Sequence, residues 1–514
     1  MLRPALALVL AAAFTPLASA QVHVPQATHF GSTTPVVDGK FGSVLALDGD
    51  VAAIGRIGFD ADVQVFRRRA GTWTFEASLR SSSGDPFEGF GSALAFAGDR
   101  LFVGARHADG AVAGAGAVYV FEKRAQSWVE TQKVFAPVGG FGVTHGAVFG
   151  AAFGSSLAAS ETSLVVGAPF IGVSELFEGA VYSYRNIGGT WTFEAQLPSP
   201  DPSFDGGFGA SLDLVPYSTV VGEESLVVAA PGERDGFRGR VYVFRRIGGV
   251  WVADGILIGP DSAESDRMGT RVAASGDVVA ASSLVHSTPA VGGGAVYVFR
   301  RGLAGWAFEQ KLTPTDPHEG DTFGRGLDLE GDHLVAGAPN APVDAGPGQL
   351  THFHHDGATW VEAHRWIADP VLGGTTVLDN TWLGYSVALS GDQVLAGAAR
   401  AFTAVPGEGL IYTFDVTPHA LEATPKLATT NEPVTLTWSG GSPGGLAALI
   451  LRKVNGAPVN ALLHTGAFDA QGAATFTAPV PPGLAGLTLT FEAGGHHDLS
   501  KTLAGSNLVD VLLQ

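Results

Sequence analysis

The chain has 514 residues, of which 71 are glycine, 29 proline and none cysteine, and only 15% are charged. That glycine content excludes a mainly helical protein, and the missing cysteines exclude a disulfide scaffold, a thiolate zinc site and a cysteine nucleophile. With 30 basic against 49 acidic residues, a formal net charge of −19, nucleic acid is not an expected partner, because a phosphate backbone is held by Lys and Arg.

The first twenty residues place Arg3 before an apolar run from Ala5 to Leu17 and end in Ala18-Ser19-Ala20. A charged start, a short hydrophobic stretch and an A-x-A site predict a secretory signal over residues 1–20, and with it an exported, secreted or cell-surface protein, a periplasmic location being the other option. No later stretch holds eighteen uninterrupted apolar residues, so no transmembrane segment is expected.

From residue 41 the chain repeats itself. Phe41-Gly42, Phe90-Gly91, Phe153-Gly154, Phe208-Gly209, Met268-Gly269, Phe323-Gly324 and Leu383-Gly384 stand on average about 57 residues apart. After each anchor comes an alternating apolar run, usually closed by Gly-Asp as at Gly49-Asp50 and Gly331-Asp332, which reads as a strand and a tight turn. A second strand ends in Gly-Ala-Pro or a relic of it, as at 167–169 and 337–339; a third reads like Ala117-Val-Tyr-Val-Phe121; a fourth begins at a Trp, at positions 73, 128, 191, 251, 306 and 360. Four strands per unit and seven units predict a seven-bladed β-propeller over residues 21–416. The seventh unit lacks a Trp strand, and the segment Val22 to Phe30, just ahead of the first anchor, is the expected replacement, closing the ring.

The Phe-Gly start, the Gly-Ala-Pro element and the sevenfold recurrence resemble the FG-GAP repeats of the integrin α-subunit propeller and its bacterial secreted relatives. The anchors themselves are expected to be structural, Phe filling the wedge between blades and Gly admitting a neighbouring backbone. The resemblance also implies Asp-x-Asp-x-Asp-Gly calcium loops, but that spacing is missing, Asp60-Ala-Asp62 being the nearest approach. No calcium, other metal or organic cofactor is therefore expected.

Strand direction places the loops between blades and those after Gly-Ala-Pro on one rim, the top, and the hairpins between third and fourth strands below. Acidic residues gather on the top loops, and Asp85, Glu88, Asp205, Asp266, Glu319, Asp321 and Asp379 are the candidate binding residues. The lower hairpins carry Arg67-Arg68-Arg69, Lys123-Arg124, Arg185, Arg245-Arg246 and Arg300-Arg301, which predicts an electrically two-faced disc. His352, His354 and His355 form the densest group of metal-type ligands, yet they occupy a third strand, where packing is the expected role.

Beyond Phe414 the repeat signals stop. Val434–Trp438, Ala447–Val454, Ala473–Thr477, Leu487–Phe491 and Leu508–Leu513 read as strands of a small immunoglobulin-like β-sandwich over residues 417–514. No nucleophile-elbow, zincin or phosphate-loop motif occurs with a supporting strand and helix context. The expected function is binding or adhesion without catalysis, through top-face loops, to an extracellular protein or glycan, with self-association open. Two alternatives stand beside it: a secreted hydrolase or lyase with carboxylates converging at the channel, and a structural cell-envelope or matrix component.

Overall fold

The computed structural model describes residues 28–416 apart from short loop stretches and, further on, strands between residues 421 and 513. Seven four-stranded antiparallel sheets make up the first part. Their first strands touch one another in ring order, with that of blade 7 (Leu383–Ser390) lying against that of blade 1 (Phe41–Asp48). The fourth strand of the seventh sheet is Thr28–Gly31, antiparallel to the third, with Thr28 opposite Thr413 and Gly31 opposite Leu410. Residues 1–20, and the part of the expected amino-terminal strand ahead of Thr28, lie outside the described residues.

The anchors do what a wedge-shaped assembly requires. Phe41, Phe153, Phe208, Met268 and Phe323 are fully buried, and Phe90 nearly so. Each packs between its own blade and the preceding one: Phe153 meets Phe102, Val118 and Val120 of blade 2, and Phe41 meets Leu395 and Ile411 of blade 7. The glycines mark backbone contact between blades. A Cβ on Gly116, ahead of the third strand of blade 2, would lie 2.1 Å from the carbonyl oxygen of Phe153, with which Gly116 forms a parallel bridge. A Cβ on Gly337, the Gly of Gly-Ala-Pro in blade 6, would lie 2.0 Å from the carbonyl of Gly384 in blade 7. The two glycines of the repeat are thus one feature, since in the five blades that keep it the Gly of the Gly-Ala-Pro position, Gly55, Gly104, Gly167, Gly337 or Gly397, lies on the next blade's Phe-Gly backbone or its equivalent.

The outer rim uses a different device. In five blades the pairing of third and fourth strands slips by one residue. The extra residue is Glu76, Thr131, Glu194, Asp254 or Glu309, in each case the third after the Trp. A bulge re-aims one side chain out of the alternation, and the acidic ones point at the next blade. Glu76 of blade 1 accepts from Lys123 Nζ at 2.6 Å and Trp128 Nε1 at 2.8 Å, both of blade 2. Asp254 of blade 4 likewise accepts from Arg301 and the Trp306 indole of blade 5, at 2.9 Å each, and Glu194 of blade 3 pairs with the buried Arg246 of blade 4.

Beyond the blades, Leu421–Thr424, Pro433–Trp438 and Ala474–Pro479 form a three-stranded sheet. Leu446–Val454, Ala457–Ala467, Thr488–His496 and Val509–Leu513, with two short strands, form a six-stranded one. The long strand Ala457–Ala467 is additional to those expected from the sequence.

Candidate functional site

The top loops carry two populations of carboxylate. Asp85 and Glu319 are exposed and Asp205 is half-buried. Glu88, Asp266 and Asp321 are buried, which corrects their assignment to an exposed acidic rim. Each of the three stands two residues ahead of its blade's anchor and turns inward to hold the incoming loop. Asp266 Oδ2 accepts from the Ala263 backbone at 2.7 Å and bonds His286 Nδ1 at 2.8 Å; Asp321 Oδ2 accepts from the His318 backbone at 2.7 Å; Glu88 Oε2 accepts from Ser83 Oγ and the Tyr119 hydroxyl. Burial pushes Asp321 above the usual carboxylate range. Asp379 lies outside the described residues.

The same inward device recurs in blade 4. Glu233 accepts from Ser199 and the Tyr242 hydroxyl, and burial raises it to about 7. Beside it Asp201 meets Arg240 at 2.5 Å. The basic lower hairpins are also corrected as a free positive face. Arg67 pairs with Glu76, Arg246 with Glu194, Arg300 with Glu309 and Arg301 with Asp254, so much of their charge is matched at the bulges. Asp62, the nearest approach to a calcium loop, is taken by Arg56 at 2.9 Å. His352 is fully buried, with its Nε2 2.9 Å from His333 Nδ1, and His354 packs on the His333 ring, consistent with a packing role. No group of three or more metal-type ligands comes together among the described residues.

What the top face does expose is aromatic. The strand two to three loop of blade 3 presents Phe170, Leu176 and Phe177, and the junction into blade 4 presents Phe204, 60% exposed. The two loops are tied by backbone bonds, Asp205 N to Leu176 O at 3.0 Å and Gly207 N to Phe177 O at 3.1 Å. The rings of Phe177 and Phe204 meet edge to face at 6.5 Å. Asp205, one of the candidate residues, is therefore at the edge of an aromatic patch.

Two further carboxylates sit at the axis. Five first strands carry alanine five residues after the anchor, Ala46, Ala95, Ala158, Ala273 and Ala388, where blades 4 and 6 carry Asp213 and Asp328. Leu212 and Leu214 point back into the wedge with blade 3, so Asp213 points forward, accepting from Ala274 N of blade 5 at 2.7 Å. Asp328 accepts from Leu389 N of blade 7 at the same distance. Burial raises the two carboxyls to about 6 and about 7, the charge of Asp213 adding to the rise at Asp328. Each carboxyl also accepts its own strand's next amide, which makes it an inner-edge brace.

The FG-GAP repeat family profile matches residues 73–121 and 306–349, in both cases running from the Trp of one blade into the third strand of the next. The propeller is built of FG-GAP repeats. The match brackets a blade junction, and the junction is where the FG-GAP chemistry lies: the bulge acid, the anchor Phe and the paired glycines all act between blades. The whole resembles the integrin α-subunit propeller. No curated protein matches the chain. Among the described residues, no helix is long and apolar enough to cross a membrane.

Proposed function

We propose that the protein is an exported FG-GAP propeller that binds an extracellular protein or glycan through its top face, without catalysis. Residues 1–20 are its secretory signal, residues 21–416 the propeller, closed by the amino-terminal strand, and residues 417–514 an immunoglobulin-like sandwich serving as spacer or second binding unit. One observation carries the binding reading: Phe170, Leu176, Phe177 and Phe204 are exposed together on two hydrogen-bonded loops beside Asp205. Apolar side chains gathered at a surface mark interaction sites, and aromatic residues supply most of the energy at such centres. A rigid ring holding its loops on braced junctions is the scaffold such recognition uses.

Exposed acidic residues on other top-face junctions, Asp85 into blade 2 and Glu319 into blade 6, with Asp379 expected among them from the sequence alone, suit a ligand carrying cationic groups. The channel carboxylates favour a structural role over hydrolysis, since Asp213 and Asp328 each accept two backbone amides. The test is an array of extracellular proteins and glycans probed with the purified full chain. Phe177→Ala with Phe204→Ala is expected to lower the strongest signal by roughly tenfold or more, with the melting temperature unchanged. A signal equal to that of the parent would place recognition elsewhere.

A further inference from the structure

At the start of the first strands of blades 5, 6 and 7, where the channel opens on the top face, the chain departs from its own repeat. The two positions after Phe-Gly hold small residues in the other blades except for Val44 of blade 1, as in Ser92-Ala93, Ser155-Ser156 and Ala210-Ser211. Blade 5 places Arg271 there, blade 6 Arg325 and blade 7 Tyr385. Arg325 Nη2 donates to the Tyr385 hydroxyl at 2.7 Å, and its guanidinium lies 4.3 Å from the centre of the Tyr385 ring. Tyr385 stacks on Trp382 with centroids 5.5 Å apart and planes within 8°, and Arg400 lies 4.5 Å from the Trp382 ring. The result is a ladder of guanidinium, phenol, indole and guanidinium, with Arg271 at its inner end.

Among the described residues this positive cluster has no counter-ion. Arg271, Arg325 and Arg400 form no ion pair with a carboxylate among the described residues, and the one hydrogen bond from the Arg271 guanidinium goes to the carbonyl of Thr270, at 3.1 Å. Burial and the neighbouring Arg325 charge bring Arg271 down to about 10. The channel carboxylates Asp213 and Asp328 lie further along their strands and spend their oxygens on backbone amides. Elsewhere in the molecule inward-facing cations are matched, as Arg56 is by Asp62, Arg240 by Asp201 and Arg246 by Glu194. Two guanidiniums close enough to depress one another's proton affinity in a partly dehydrated mouth repel unless an anion lies near both. The planar forks suit the oxygens of a carboxylate or sulfate, which they hold by paired charge-assisted bonds.

We propose that the top mouth of the channel, formed by Arg271, Arg325 and Tyr385 with Trp382 and Arg400, is a binding site for an oxyanion, the carboxylate or sulfate group of a larger ligand. It is separate from the aromatic patch on blades 3 and 4 and does not depend on that reading.

The experiment uses the full chain, titrated calorimetrically with sodium glucuronate and with sodium sulfate against sodium chloride at matched ionic strength, alongside melting curves. Saturable binding of either anion is expected; glucuronate alone would identify a carboxylate site and sulfate alone a sulfate site. Arg271→Gln and Arg325→Gln should each weaken it by roughly tenfold or more. Their melting temperatures without anion should equal or exceed that of the parent, because removing one guanidinium relieves the repulsion. Arg325→Lys, which keeps the charge and loses the fork, should bind with intermediate affinity. No saturable binding of either anion, or unchanged binding in the glutamine variants, would overturn the proposal. A lower melting temperature for Arg271→Gln would do the same by making Arg271 a structural brace.

Discussion

Replacing Glu76 by glutamine tests whether the bulge acids hold the blades together. Glu76 lies on the outer strand of blade 1, with a side chain 13% exposed, and accepts from Arg67 of its own blade and from Lys123 and Trp128 of the next. Burial alone would raise its carboxyl; hydrogen bonds from Arg67, Lys123 and Trp128 outweigh that and bring it from 4.5 to about 2. At about 1.4 kcal/mol per pH unit, the gap sets an upper figure of about 3 kcal/mol. Solvent screening at this rim position reduces it to about 2 kcal/mol. Because the folded value is depressed, the stabilisation is complete above pH 4.5 and is lost as pH falls towards 2. Urea unfolding followed by tryptophan fluorescence should therefore show Glu76→Gln about 2 kcal/mol less stable than the parent at pH 7, with less than half that difference at pH 3. A difference at pH 7 below about 0.5 kcal/mol, or one that does not shrink on acidification, would refute an ionic link between blades at this position.

Three other outcomes follow from the same geometry. Phe323, fully buried between blades 5 and 6 and 6.1 Å from the Phe353 ring, should cost about 3–5 kcal/mol when replaced by alanine, measured by denaturant unfolding; a loss below about 1 kcal/mol would remove its role as a wedge. Gly116→Ala, whose Cβ would strike the Phe153 carbonyl, should prevent soluble expression or lower the melting temperature sharply. Gly305→Ala in an open hairpin meets nothing within 4 Å and costs only the strain of its left-handed backbone, φ 105°, about 1–2 kcal/mol, so the two should differ widely. Carboxyl-carbon NMR should find Asp213 and Asp328 titrating near 6 and 7, and Asp213→Asn should lower the Asp328 midpoint. Since both folded values are raised, their contribution to stability is fullest below pH 4 and falls as pH climbs through 7; midpoints near 4 would contradict the burial argument.

The anchors were legible because geometry permits few substitutes. A wedge between sheets calls for a bulky apolar side chain, and a backbone lying against its neighbour calls for glycine, so Phe-Gly and Gly-Ala-Pro survive as visible repeats. The acids were harder to read. Glu88, Asp266 and Asp321 share the composition of a solvated loop, and only the fold shows that a carboxylate two residues ahead of the anchor turns back onto a local amide or hydroxyl. Glu76 and Asp254 sit in an alternating strand whose register slips at that very residue, and a slip leaves no mark in the pattern. Asp213 and Asp328 had a signal, the departure from alanine at one position of the repeat. The arginine and aromatic ladder joins three blades and is invisible until they stand side by side. In the carboxy-terminal region, Pro458 and Asn460 have the character of turn residues and conceal the strand Ala457–Ala467.

Closure of the ring by the amino-terminal strand is open to a direct measurement, because the chain contains no cysteine. Thr28 and Thr413 stand opposite each other on antiparallel strands, at a separation a disulfide spans. With both replaced by cysteine, mild oxidation should produce an intramolecular bond that changes mobility on a non-reducing gel, raises the melting temperature and consumes both thiols. Two thiols left free in the folded protein, or bonds formed only between molecules, would contradict a seventh blade completed from the start of the chain.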